Sequence, residues 1–204
     1  MSDEIHCDLV FAGAKHTPTI SAAPEIADRL ITCVAATKTF NLAGAHVGAC
    51  ITCNAALEAS SRRAHHGERP WLLQQLRHAR HRGGLANRRR RGSTRCCPIS
   101  TASRDLFDAR IEAAAPGARS MRLGATYLAW VDFSGTGLSP EEVAARVKSR
   151  ARIFASPGSQ FGPGGETWLR FNFATPRPIL EEALGRLDEA FRRPAPGARV
   201  RSGR

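Results

Sequence analysis

The 204-residue chain is short of several things, and each shortage removes a class of protein. It has no run of about 18 apolar residues, so no segment reads as a membrane-spanning helix. The opening MSDEIHCDLVF lacks a basic region followed by an apolar stretch, so it does not read as a secretory leader. Its six cysteines are irregularly spaced, unlike a secreted disulfide framework. A cytoplasmic protein without a membrane partner is the expectation. Acidic residues are scarce in one region only. Residues 60–100 hold 11 Arg and a single acid, Glu68, so this block carries +10 of the net +12. The chain is an ordinary one with a basic block inside it.

Three styles of sequence follow one another. Residues 1–58 alternate helix-like and strand-like segments: the apolar opening EIHCDLVF, a helix expected over SAAPEIADRL, then strands over ITCVAA and HVGACITC. Residues 59–102 sustain neither a period of 2 nor one of 3.6, and are expected to be irregular. From 103 to 192 the pattern is regular again. RDLFDARIEAA has helical spacing and YLAWVDF reads as a strand. SPEEVAARVKSR opens with Ser139 as N-cap, Pro140 at the first helical position and Glu142 two positions on. RIFAS and TWLRFNFA read as strands around the loop PGSQFGPGG, and PRPILEEALGRLDEAF as an amphipathic helix. The tail 193–204 is expected to be disordered. Helices alternating with strands imply a layered α/β architecture.

Two segments carry chemistry when taken together: SDEIHCDL (2–9) and ATKTFNLAG (36–44). Lys38 follows a strand, with a hydroxyl residue before it and small residues after. Alone, that pattern describes a surface lysine. Asp3 could cap a helix or be a solvated loop acid, and Arg170 could be an exposed strand residue. His16 and His46 read as structural. Cys50-x-x-Cys53 has half the spacing of a zinc site, but no second pair is suitably placed and no metal is expected.

The combination resembles the fold-type I pyridoxal-phosphate (PLP) enzymes, in particular their C–S lyase branch, the cystathionine β-lyase-like proteins. SDEIH-x-DL and the string around Lys38 are the first two matches. KHTP (15–18), FGPGG (161–165) and Arg170-Phe171-Asn172 ahead of a final helix are the others. The resemblance covers roughly 1–58 and 103–192. It implies an incomplete three-layer αβα large domain followed by a C-terminal α+β small domain, with PLP as cofactor. Lys38 would form the Schiff base and then act as the base on the substrate α-proton, a role that requires it to be neutral at some stage. Asp3 would face the pyridine nitrogen, and Thr37 would offer its hydroxyl to the phosphate. His6 would lie near the ring oxygen. Arg170 would grip the α-carboxylate of an amino-acid substrate through a bidentate fork. The reaction implied is β-elimination of a cysteine S-conjugate to thiol, pyruvate and ammonia, in a family whose full-length members are homodimers.

The resemblance also implies what is absent. The family's chain is about twice this length. Its N-terminal part would supply a phosphate loop, an aromatic stacked on the ring, an Asn near the ring oxygen, and tyrosines reaching across the dimer. The sequence therefore reads as a C-terminal fragment, expected to be inactive alone. In the middle the family carries SPNxFGMxAT and WLDALLxYLD, and neither is present. RGSTRCCPIST (91–101) can nevertheless be encoded by codons that spell WLDALLPYLD or WLDALLPHLD in a shifted frame, and PWLLQQLRHARH (70–81) can hide PGSSNSFGMPAT in the other. Residues 59–102 are thus expected to be frameshifted.

Two rival readings stand beside this one. An aminotransferase of the same fold would more often carry Tyr at the position of His6. A nucleic-acid-binding protein would use the Arg block on phosphates, yet that block offers a single aromatic, Trp71, for base stacking.

Overall fold

A computed structural model of the chain describes residues 1–45, 47–66 and 87–192. The chain divides into two compact units, Met1–Ile99 with Gly124–Thr126, and Ser100–Leu123 with Tyr127–Arg204.

The first unit is built on a three-stranded sheet of order β1-β2-β3. Strand β1 (Ser2–Asp3) runs parallel to β2 (Thr32–Val34), and β2 pairs antiparallel with β3 (Ala49–Ile51). Between β1 and β2 the expected helix over SAAPEIADRL is instead two short pieces, α1 (Thr19–Ala22) and a 3-10 turn Pro24–Arg29. Proline explains the break. Pro24 has no N–H to continue an α-helix and pushes Ala23 out of the helical region, to φ −140° and ψ 69°. Strand β2 runs through Ala35 into α2 (Ala36–Thr39), which carries Lys38. A three-residue piece of chain 124–126 completes the unit. Val10 and Ala125 form a β-bridge, the Phe11 N–H bonds the Gly124 carbonyl, and the Thr126 N–H bonds the Leu9 carbonyl.

The irregular segment expected over 59–102 is corrected where the structure describes it. Its backbone is helical in α3 (Ala55–His66) and α4 (Asn87–Ala114). Ala, Arg and Leu are good helix formers, so a helical backbone does not need an apolar stripe. Asn54 caps α3, its side-chain oxygen accepting from the N–H groups of Ala56 and Leu57 at 2.8 and 3.2 Å.

The second unit holds a four-stranded sheet of order β4-β5-β7-β6, from β4 (Arg119–Ser120), β5 (Leu128–Asp132), β6 (Ser156–Pro157) and β7 (Trp168–Asn172), all antiparallel. Alternation sorts its faces. Ala129 and Val131 of β5 and Leu169 and Phe171 of β7 are buried. Against them pack Phe107 and Ile111 of α4, whose Phe107 ring lies 5.4 Å from that of Phe171. The long helix α6 (Arg177–Arg192) buries Leu180, Leu184 and Leu187, one stripe at spacings of four and three. Helix α5 (Pro140–Ala145) starts as expected, the Glu142 N–H donating to Ser139 Oγ at 3.2 Å. The Glu142 carboxylate turns instead to the buried Arg146, at 2.6 Å.

The strand expected over RIFAS is corrected. Arg152 sits in the left-handed region at φ 54°, which ends extended pairing, and β6 begins only at Ser156. The loop between β6 and β7 closes on two glycines. A Cβ on either Gly158 or Gly165 would fall on the other's carbonyl oxygen, so this close approach requires both.

Candidate active site

Strand geometry places the first group of residues. Asp3 ends β1 in register with Cys33 of β2, and β2 continues into the turn that holds Thr37 and Lys38. The carboxylate and the amine therefore leave the carboxyl ends of two adjacent parallel strands, where open α/β sheets bind ligands. Asp3, Thr37 and Lys38 line one cavity of about 1010 Å³, with Ile5, Val34 and Ala35 also in its wall. Thr37 is buried, Lys38 half-buried and Asp3 exposed. No described carboxylate forms an ion pair with Lys38.

His6 stands in the turn after β1. Burial holds its pKa below the ordinary histidine range, and the Lys38 charge pushes the same way, with Asp3 opposing. The imidazole therefore carries less charge at neutral pH than a free one. Its Nδ1 lies 3.1 Å from the Thr126 hydroxyl. Thr126 is a β-branched residue at φ 68°, an unusual conformation for such a side chain. Its part in holding His6 had no signal in the sequence, since the two are 120 positions apart.

Glu4 is a second residue that pattern reading missed, lying between Asp3 and His6, which it singled out. Its carboxylate is buried and accepts from the Thr19 N–H at 2.8 Å, from Ser2 Oγ at 3.2 Å, and pairs with His16 Nε2 at 2.9 Å. The Thr19 bond first, then His16, bring its pKa down to about 2. This network fastens the Asp3 turn to α1 and gives His16 its structural role. Thr39 adds another tie, donating to Asp8 at 3.0 Å. Cys50, in β3, and Cys53 are both exposed. No group of metal ligands converges among the described residues, and no described helix is long and apolar enough to cross a membrane. His46 lies outside the described residues.

Arg170 belongs to the second unit. Alternation along β7 turns it away from the buried Leu169 and Phe171, onto the face it shares with its register partner Trp130. Its guanidinium sits over the Phe161 ring, 4.6 Å from the centroid, and lies 3.4 Å from Ser156 Oγ. Phe161 in turn meets Trp130 edge to face at 5.4 Å, and Trp130 stacks on Trp168 at 5.6 Å. An aromatic shelf therefore carries this arginine and leaves its charge without a carboxylate partner among the described residues.

A lysine on the turn after a parallel strand, with a carboxylate at the end of the neighbouring strand, is the arrangement of the PLP-dependent transferase fold. The chain superposes on cystalysin from Treponema denticola, a PLP-containing protein, with a TM-score of 0.85 and 27% identity over 94% of this chain and 48% of that one. A PLP-bound C–S lyase from Staphylococcus hominis gives 0.76 and 26% over 93% and 49%. The family model for aminotransferase class I and II matches residues 1–187, and the chain belongs to that family. Cystathionine beta-lyase PatB of Bacillus subtilis is 32% identical over 94% of this chain and 49% of its own length. The aspartate aminotransferase of Pyrococcus horikoshii matches a shorter stretch, 37% of this chain. The chain spans about half the length of the curated relatives it matches.

Proposed function

We propose that this chain carries the lysine, the ring-nitrogen partner and the carboxylate grip of a PLP-dependent carbon–sulfur β-lyase. The reaction is elimination from a cysteine S-conjugate such as cystathionine, giving a thiol, pyruvate and ammonia. The observation that carries the reading is the placement of Asp3 and Lys38 at the ends of adjacent parallel strands, lining one cavity with Thr37. The donor set fits the cofactor: residues bearing a primary amine, a carboxylate and a hydroxyl line the same cavity. When bound, PLP supplies an aldehyde for an amine and a ring that accepts electrons.

Each residue then has a definite task. Asp3 accepts a hydrogen bond from a protonated ring nitrogen and keeps the proton there. Thr37 donates its hydroxyl to a phosphate oxygen. Lys38 takes the substrate α-proton on Nζ, releasing the electron pair that expels the β-thiolate. His6, with its charge suppressed by burial and by Lys38, would lie near the ring oxygen, as the family resemblance implies. Arg170 meets the α-carboxylate with two parallel N–H bonds, a geometry lysine could not offer. His6 in place of the tyrosine more usual in aminotransferases supports the lyase, as does the wider match to PatB.

The same reading includes a homodimer and a cytoplasmic location. Exposed Ile51 on the edge strand β3 supports assembly, and the free thiols Cys7, Cys33, Cys50 and Cys53 suit a reducing compartment. It also includes the shifted reading frame across 59–102. Gly92 and Pro98 lie within α4, where both are poor choices for a helix interior. The gene's nucleotide sequence tests this, and the idea fails if no shifted frame continues the family pattern with WLDALLPYLD or WLDALLPHLD. Because Asp3 is exposed and water competes for it, the chain alone is expected to turn over no cystathionine. Thiol release by the purified chain with added PLP would overturn that expectation. Amino transfer to a keto acid, without thiol release, would favour the aminotransferase.

A further inference from the structure

Two thiols of the first unit face each other outside the groups assigned above. Cys33 of β2 and Cys50 of β3 are register partners with their Sγ atoms 3.8 Å apart, and both line the cavity that Lys38 lines. Register partners of an antiparallel pair have Cα atoms about 4.5–5.5 Å apart, within the roughly 4.4–6.8 Å that a disulfide spans. Bond closure therefore needs side-chain rotation, not movement of a strand. We propose that Cys33 and Cys50 are a redox modification site, forming a reversible disulfide that closes a ring of chain around Thr37 and Lys38. The inference stands on this juxtaposition and does not depend on the role of Lys38.

The oxidant is a hydroperoxide. Cys50 is exposed and meets it first; its thiolate sulfur attacks a peroxide oxygen, an S–O bond forms and the O–O bond breaks. Water or an alcohol leaves, and Cys50 is a sulfenic acid. The Cys33 sulfur then attacks the Cys50 sulfur, the S–O bond breaks, and hydroxide departs as water with the Cys33 proton. The two thiols have lost two electrons and the peroxide has gained them. Burial pushes the Cys33 thiol up, which suits it to this second step, where proximity replaces intrinsic reactivity. A small-molecule thiol reverses the bond by exchange. Cys53 lies beyond the end of β3, in register with neither residue.

The test uses the full chain, treated with hydrogen peroxide, alkylated and digested with trypsin under non-reducing conditions. Lys38 is the one tryptic site in 34–49, so cleavage after it separates Cys33 from Cys50. The expected result is a peptide pair joined from Cys33 to Cys50, lost in C50S, kept in C53S, and released by reductant. The native chain should give this pair in large excess over linkages through Cys7, Cys53, Cys96 or Cys97, and the excess should vanish in denaturant. An oxidised Tm roughly 5 °C above the reduced one is also expected. Linkage through Cys53, native yields no better than denatured ones, or over-oxidation of Cys50 without a cross-link would each overturn the proposal.

Discussion

The two units are stabilised by different means. Nearly every buried apolar side chain among the described residues lies in the second unit, and the first contributes only Phe11 and Leu30. The first unit instead ties its strands and turns with polar groups: Glu4 to Ser2, His16 and Thr19, Thr39 to Asp8, and Thr126 to His6. Its sheet borders an open cavity lined by Asp3 and Lys38. A packed core resists change at any of its residues, whereas a hydrogen-bonded turn can hold reactive groups at a solvent-accessible surface. The difference shows how one chain can keep a stable sheet and an open site at once.

Truncation in each unit should break or sharpen this contrast. Leu187→Ala removes a fully buried side chain from α6, where Leu187 is 1% exposed, and should cost about 2–5 kcal/mol in a denaturant melt. Ile51→Ala, at a residue 55% exposed on β3, should cost no more than about 0.5 kcal/mol. Equal losses at the two sites would erase the distinction.

Acid should act on the first unit. The folded pKa of Glu4 is about 2, below its ordinary 4.5, so its contribution is complete above pH 4.5 and is lost as pH falls toward 2. Protection of the Thr19 amide against hydrogen exchange, relative to the intrinsic rate at each pH, should fall across that window, and Glu4→Gln should remove that fall. At the start of α5 an effect between those at Leu187 and Ile51 is expected. Ser139→Ala removes the cap on the Glu142 N–H and should cost about 1 kcal/mol, leaving the first unit unchanged.

What could be read from the sequence follows the same division. In the second unit the strand alternation of YLAWVDF and TWLRFNFA and the stripe of PILEEALGRL are direct consequences of burial on one face, so these elements fell where expected. RIFAS failed because a left-handed Arg152 leaves no mark on hydropathy. In the first unit, Asp3, Thr37 and Lys38 were legible through the family's motifs, and the structure places them on one cavity. Glu4 was not, because a buried carboxylate satisfied by a backbone N–H looks like any other acid in a sequence. Thr126 and Phe161 act through contacts with residues far away or around a loop, which no local spacing encodes. The helical backbone at Ala55–His66 and over 87–102 was also hidden, because neither stretch shows the apolar period that signals a packed helix, whereas 104–114 of the same helix does.

The account turns on Lys38 as the residue that meets the cofactor. Incubating the purified chain with PLP, reducing with borohydride and mapping the digest by mass spectrometry tests it directly. The predicted result is a phosphopyridoxyl mass on the peptide holding Lys38, reduced sharply in Asp3→Ala and absent at that position in Lys38→Ala. Equal labelling of Lys15, Lys38 and Lys148, unaffected by Asp3→Ala, would contradict it.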